Sequence, residues 1–390
     1  SRFVEDAMLD MGSLNPHGRF VNLFINGVYW GQYNLRERLV DVFLADYLGG
    51  ATTNYVTVRG NDNVASDNFI PGTPEPPLRY PWDRARALRT SYDAVKPYVD
   101  VPHLTDFMLL WWYGNCESEY RAAGSVEAGS GFKFWIADAD GFLRTSALTL
   151  NYTQSSGPGN LFGGLTNEMH VDFKTLVADR IQKHFFGNGS LTPSQNLARL
   201  NARMAEITNS LVTECARWNV RTPDTWESAA NTVRTGLFPN RTTNLFGYLR
   251  ARGLYPAIDP PILNQYGGSV TNGFILNLTS SVGVVYYTVD GSDPRLPGGG
   301  ISPATFSTNS VGQSLIMTNS SWRYWDRGSL PATNWNQLAY SDTGWSLGGA
   351  KFGFGDAGMV TTQSFGGNPS AKYSAYYYRQ PFVVSQAASI

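Results

Sequence analysis

At 390 residues the chain has room for two or three domains and an ample core, taking ~100–200 residues per domain. Its net charge of −1 removes the electrostatic case for nucleic acid or an anionic lipid surface as partner. Charged residues are only 16 %, against 14 % aromatics and 40 glycines, a balance in keeping with exported, β-rich proteins.

No apolar run is long enough for a membrane-spanning helix, and no signal peptide stands at the start. The chain opens without an initiator Met, directly into a helix-like stretch over residues 1–10, so the expectation is a piece of a longer protein. Residues 20–25 (FVNLFI) and 28–35 (VYWGQYNL) read as two strands. Asn26-Gly27 between them is a type I′ hairpin signal, because both residues tolerate positive φ. The triplet Arg36-Glu37-Arg38 then leads into a helical pattern over 39–48, stopped by Gly49-Gly50. The triplet reads either as an exposed cap or as an ion pair that positions phosphate, since Arg forks match phosphate oxygens.

Residues 55–59 form a further predicted strand, followed by an Asn-, Pro- and Gly-rich loop over 60–82. Helices are expected at 92–99 and 101–112. Thr105 or Asp106 is expected to cap the second, whose run is apolar nearly all round and marks a core helix. An acidic loop, GNCESE (114–119), carries Glu117 and Glu119, read as solvated charge or as neighbours of the next strand. That strand, 132–136, ends in Asp138 and Asp140. On a strand, positions two apart share a face, and two carboxylates on one face either share a cation or repel. The alternative is a turn whose Asp side chains bond their own backbone.

The Gly- and Ser-rich stretch 155–164 is a weak phosphate-loop signal, without the Gly-Lys-Ser/Thr ending of a P-loop. Helical patterns follow at 173–186, 194–218 (Thr192-Pro193 placing Pro at N1), 225–236 and 241–252. His184, near a helix end and without a ligand-spaced His or Cys, reads as structural. Cys116 and Cys215 make no ligand spacing and read as buried free thiols rather than a pair. Beyond residue 257 helical periodicity vanishes. Strands are expected at 270–278 and 284–289, with turns at Asp290-Gly291 and Asp293-Pro294. From 319, Trp322, Trp325, Trp335 and Trp345 introduce a second β-rich stretch, whose last strand over 376–384 is expected to be an open edge. That edge makes strand-mediated self-assembly an expectation.

Several blocks resemble a known family. NGVYWGQYNLRER (26–38), FKFWIADADGFLR (132–144) and DFKTLVADRIQKHFFGNGSLTP (172–193) resemble, in order, segments of the CotH kinase family of spore-coat-protein-H-like atypical kinases. VYYTVDGSDPRLPGG (285–299) resembles a chitobiase/hexosaminidase C-terminal-type β-module, and 322–384 resembles part of a galactose-binding-like jelly roll. The resemblance implies an α+β fold: a reduced protein-kinase-like domain over 1–256, truncated at its start, then a small β-sandwich at 257–318 and a partial jelly roll at 319–390.

It further implies ATP with Mg2+ or Mn2+ as cofactors and transfer of the γ-phosphate to protein hydroxyls. Asp138, Glu37 and Glu117 stand as catalytic candidates, Arg36, Arg38 and Asp140 as cofactor-binding, and Asp138 and Asp140 as metal ligands. Where the family places an Asp and an Asn before the central strand, this chain has GNCESEYR, so Glu117 or Glu119 would replace the Asp, while Ser118 is a poor replacement for the Asn. By the same resemblance the chain is expected to begin beyond the strands that cover the nucleotide. The expected setting is bacterial, secreted or cell-surface, with a protein substrate, a cell-surface partner or a glycan in contact. The second reading is a non-catalytic surface or adhesion protein with a degenerate kinase-like domain.

Overall fold

A computed structural model describes residues 2–60, 63–64, 80–114, 120–125, 131–219, 221–307, 316 and 320–382. The chain divides into two compact units, Ser1–Gly283 with Arg295–Ile301, and Val284–Pro294 with Ser302–Ile390. The mixture of helix and strand across the chain is compatible with the expected α+β class: helices dominate the first unit and short strands the second.

The first unit begins with helix α1 (Arg2–Asp10), the hairpin β1 (Gly18–Ile25) and β2 (Val28–Arg36), helix α2 (Asp41–Leu48), and strands β3 (Tyr55–Arg59) and β4 (Asn63–Val64). Asn26 and Gly27 adopt φ of 51° and 79°, and Ile25 pairs with Val28 across them, as the Asn-Gly turn chemistry requires. Helices α3 (Tyr80–Ala87), α4 (Tyr92–Val95) and α5 (Val101–Gly114) precede strands β5 (Tyr120–Ser125) and β6 (Lys133–Ile136). The predicted loop over 60–82 is therefore too long at its end. Pro81 falls in the first turn of α3, where a missing N–H costs nothing, and Trp82 is buried against Phe132, ring centroids 5.1 Å apart.

Strands β4-β3-β5-β6 form one antiparallel sheet. Alternation sorts its two faces. Val56, Val58, Ala122, Phe134 and Ile136 point to the main core beneath α5. Tyr55, Ala123 and Trp135 point the other way and meet Phe43 and Leu44 of α2. The all-round apolar sequence of α5 is explained by this placement: it is buried against the sheet on one side and against other helices on the other. Its cap is Asp100, whose Oδ1 accepts from the His103 amide at 3.0 Å. Asp106, expected at the cap, lies a turn further in and is buried, and Thr105 Oγ1 donates back to the Val101 carbonyl.

Helices α6 (Leu161–Glu168), α7 (Val171–Phe185), α8 (Pro193–Trp218), α9 (Pro223–Thr232) and α10 (Phe238–Ala251) complete the helical part, followed by the strand pair β7 (Ile262–Leu263) and β8 (Leu278–Thr279). Pro193 stands in the first turn of α8. The hairpin β1–β2 lies on α8 through Glu214, which accepts from the Tyr29 hydroxyl and the Gln32 amide at 2.8 Å each, and through Glu206, which accepts from the Phe20 amide at 2.8 Å. In the second unit, β9 (Tyr286–Tyr287) pairs with β10 (Phe306–Ser307), and β11 (Ser321–Trp325) lies between β12 (Ser346–Gly349) and β15 (Tyr377–Arg379), with β13 (Phe352–Gly353) and β14 (Thr361–Thr362) as a parallel pair. Arg379 bonds the Gln337 carbonyl at 3.1 Å and Asp342 at 3.0 Å, holding the loop that brings Trp335 and Trp345 together. Among the described residues no helix lies between 270 and 289, and β15 pairs on one side only.

Two buried positions in the first unit carry predictions. Gly114 closes α5 under the ring of Phe142, and a Cβ there would overlap that ring. Phe142 is buried in the turn just past Asp140, so Gly114→Ala is expected to displace this turn and destabilise by about 2 kcal/mol, the overpacking range. A urea midpoint unchanged from the wild type would refute the close packing.

His103 is buried, with Nδ1 accepting from the Phe134 amide at 3.2 Å and Nε2 facing the Leu14 carbonyl at 3.5 Å. A proton on Nδ1 would oppose that amide donor. Burial first, and Lys133 second to the opposing pull of Asp100, leave its pKa at about 4. The unfolded chain takes this proton near pH 6.5 and the folded chain only near 4, so stability is full above 6.5 and falls as pH drops toward 4. Between pH 7 and 5 the loss is expected to be about 2 kcal/mol. His184, also lowered by burial, adds with the same sign. Chemical denaturation at the two pH values checks this, and His103→Gln should reduce the slope.

Candidate functional site

The antiparallel register of β3 and β5 sets Arg59 directly opposite Arg121, so both guanidinium groups leave the same face of the sheet. That face is the one covered by Phe43 and Leu44 of α2. At the strand ends the apolar cover gives way to a cleft of about 320 Å³. Its walls are Arg36, Glu37, Arg38 and Leu39 from the exit of β2, Arg59 from β3, Arg121 from β5, and Ala137 just past β6. Among the described residues, four arginines and one glutamate thus line one concave site.

Glu37 has both oxygens engaged. Oε2 accepts from the His17 amide at 2.7 Å and lies 3.3 Å from the His17 ring, and Oε1 accepts from the Tyr47 hydroxyl at 2.8 Å. Burial pushes the carboxyl up, but the His17 amide, the Tyr47 hydroxyl and the His17 ring together hold it below its ordinary value. Glu37 therefore stays ionised and ties the end of β2 to α2. Arg36 bonds Glu5 through Nη1, and Glu5 also bonds Arg2 of its own helix, so the triplet is braced from α1 as well.

The strand β6 stops at Ile136, and Asp138 and Asp140 follow in a turn rather than on the strand. Both are exposed, and Asp138 Oδ1 accepts from the Asp140 amide at 3.4 Å. The turn is closed by the Phe142 amide on the Ala139 carbonyl at 3.0 Å. Asp138 stands next to the cleft-lining Ala137 in sequence. Glu117, with Cys116 and Glu119, lies outside the described residues. Cys215 is a free thiol.

A divalent ion of the magnesium type takes hard oxygen donors and, in phosphoryl-transfer sites, one or two carboxylates with water and phosphate completing the shell. Asp138 and Asp140 fit that donor chemistry, being two exposed carboxylates on one turn. Among the described residues no group of three or more His, Cys, Asp or Glu gathers to hold a metal without such help.

Residues 1–77 match the family model described as CotH kinase protein. The match takes in the hairpin, the Arg36-Glu37-Arg38 triplet, α2 and Arg59, and stops before Arg121, Asp138 and Asp140. None of the curated proteins matches this chain. The similarity supports a kinase-like domain of the CotH type at the start of the chain.

Two cleft residues, Arg59 and Arg121, escape a reading of the sequence by motif. Their signal is the register: a single Arg at the end of each strand acquires meaning only once the strands are paired. The Gly- and Ser-rich stretch 155–164 has a packing explanation. A Cβ at Gly157 would lie 2.6 Å from Met108 Sδ, and one at Gly159 would lie 2.9 Å from the Trp82 ring. His184 is structural, its Nε2 3.1 Å from Asp106 Oδ1 in the core.

Proposed function

We propose that the chain carries a CotH-like phosphotransfer domain that grips the phosphates of ATP in the arginine cleft and passes the γ-phosphate to a hydroxyl of a protein substrate. The observation that carries this reading is the convergence of Arg36, Arg38, Arg59 and Arg121 on one cleft, three of them within the matched family segment. Planar guanidinium groups bond phosphate oxygens in pairs and offset the charge on a transferring phosphoryl group. In the transfer the bond from the γ-phosphorus to its bridging oxygen breaks, a bond to the acceptor hydroxyl oxygen forms, and the hydroxyl proton leaves to a carboxylate. Asp138, Asp140 and Glu117 are the carboxylates offered for that proton and for a divalent ion. Such an ion, when bound, would offset phosphate charge and align the phosphates. The setting proposed for this activity is secreted or cell-surface, in keeping with the low charged fraction and high aromatic content.

A second reading, a non-catalytic extracellular binding domain, is favoured by the engagement of both Glu37 oxygens in holding the hairpin to α2. Transfer of label from γ-labelled ATP to protein, in magnesium and with the full chain, separates the two. The first reading expects labelled product from the wild type and none from Asp138→Asn. Label that never leaves ATP would decide for the second.

A further inference from the structure

We propose that His17 is a phosphoryl-acceptor site: Nε2 of its ring takes the phosphoryl group, and Glu37 and Tyr47 position it. Naming ATP as the donor rests on the phosphotransfer reading above; the nucleophile itself does not. Three observations carry it.

The first is the direction of the hydrogen bonds around the ring. Tyr47 donates its one hydroxyl hydrogen to Glu37 Oε1 at 2.8 Å, so toward His17 its oxygen can only accept. Glu37 Oε2, on an ionised carboxylate, can also only accept. Both face His17 Nδ1, at 3.1 and 3.3 Å. The ring hydrogen therefore sits on Nδ1, and the lone pair of the neutral imidazole sits on Nε2. A carboxylate on one imidazole N–H makes the other nitrogen more basic, and imidazole nitrogens are among the side-chain nucleophiles that form covalent intermediates.

Access is the second. The His17 side chain is 60 % exposed, and its Nε2 meets no hydrogen-bond partner among the described residues. The residue is nevertheless fixed. Its amide donates to Glu37 Oε2 at 2.7 Å, its carbonyl accepts from the Glu37 amide at 3.1 Å, and its ring stacks on Tyr47 with the planes 18° apart. Glu37 is also a wall of the cleft, so one side chain links the ring to it.

The third is the contrast with the other histidines, of which the chain has four in all. His103 and His184 are buried. His170 is 29 % exposed, but its Nδ1 accepts from the Asp172 amide at 3.2 Å, which leaves the hydrogen on Nε2. His17 alone offers a lone pair to solvent from a fixed ring.

In the step, the Nε2 lone pair forms the bond to the γ-phosphorus. The bond from that phosphorus to its bridging oxygen breaks, its electron pair leaving with ADP. Glu37 Oε2 holds the Nδ1 proton and offsets the charge that develops on the ring.

Two donors test this on the full chain. Phosphoramidate phosphorylates histidine with loss of ammonia and needs no enzyme; the products are mapped by mass spectrometry at neutral pH, since acid cuts the nitrogen–phosphorus bond. His17 is expected to react about tenfold or more faster than His170, and Glu37→Gln to slow it about tenfold, the loss of one charge-assisted hydrogen bond. With γ-labelled ATP and magnesium, acid-labile, alkali-stable label is expected on wild-type His17 and none on His17→Asn. Circular dichroism melts establish that both variants fold. His170 modified as fast as His17, or Glu37→Gln reacting like the wild type, would overturn the inference and leave phosphotransfer standing. So would label reaching a protein hydroxyl at the wild-type rate in His17→Asn, with no acid-labile label on the wild type. Selective modification of His17 by phosphoramidate, with label that never leaves ATP, would do the reverse. Unselective modification and no label from ATP would end both.

Discussion

Replacing Asp106 with alanine is expected to cost the first unit about 3–5 kcal/mol, the range for removing one partner of a buried ion pair. Asp106 is 1 % exposed in the middle of α5. Its Oδ1 accepts from Arg180 Nε at 2.6 Å and lies 3.1 Å from His184 Nε2, and its Oδ2 accepts from Arg180 Nη2 and from Ser13 Oγ, the latter at 3.2 Å. One carboxylate thus joins α5, α7 and the segment after α1. Burial pushes its pKa up, but His184 and Arg180 overcome that and hold it below the ordinary carboxylate value. A depressed folded pKa means that the contribution is present above the unfolded value and lost as pH falls through the folded one. Alanine would leave the Arg180 guanidinium partly buried without its partner and a buried imidazole without an acceptor. Asp106→Asn keeps the shape but sets an NH2 group or a neutral oxygen before Arg180, and should recover only part of the loss. Urea unfolding at pH 7 measures both, and an alanine variant within about 1 kcal/mol of the wild type would show that the cluster does not anchor the helices.

The sequence makes some of this legible and hides the rest for physical reasons. Asn26-Gly27, Pro193 and the apolar run of α5 are local signals, because turn chemistry, helix starts and all-round burial are set by residues within a few positions of each other. Asp106 is legible only as a cap, since a polar residue among apolar ones is usually an end signal. Its actual partners, Arg180 and His184, are 74 and 78 positions away. Arg59 and Arg121 meet through strand register, which motif reading does not carry. The Asp138–Asp140 pair stands out in sequence by its spacing, yet the same-face argument needs a strand there, and pairing ends at Ile136. The triplet Arg36-Glu37-Arg38 divides: Glu37 is a brace between β2 and α2, while its flanking arginines line the cleft.

Arg241→Met is expected to be as damaging as the loss of Asp106, for a different reason. Arg241 is fully buried on α10, and none of its described hydrogen-bond partners is a carboxylate. Nε donates to the Tyr113 carbonyl at 2.8 Å, Nη2 to the Trp112 carbonyl, and Nη1 to the carbonyls of Leu150 at 2.9 Å and Leu148 at 3.3 Å. Trp112 and Tyr113 lie in the last turn of α5, where carbonyls have no partner within the helix and the helix dipole is negative. The guanidinium is matched to that end in both charge and donors. Leu148 and Leu150 belong to the segment that follows the Asp138–Asp140 turn, and Asn244 and Tyr248 of α10 bond the same segment at Leu148 and Thr149. Arg241 therefore fixes the end of α5 and the segment leading away from the candidate carboxylates with one side chain. Methionine fills much of the stem's volume but strands the carbonyls, each at about 1–3 kcal/mol when buried and unpaired, so a loss of about 4 kcal/mol or more is expected. Arg241→Lys keeps the charge but has three donors on a point rather than a fork, and should fall roughly midway. The measurement is the urea midpoint of each variant. A methionine variant as stable as the wild type would mean that water can satisfy these carbonyls and that the fork is dispensable. Lysine no better than methionine would place the effect in hydrogen-bond geometry rather than in charge.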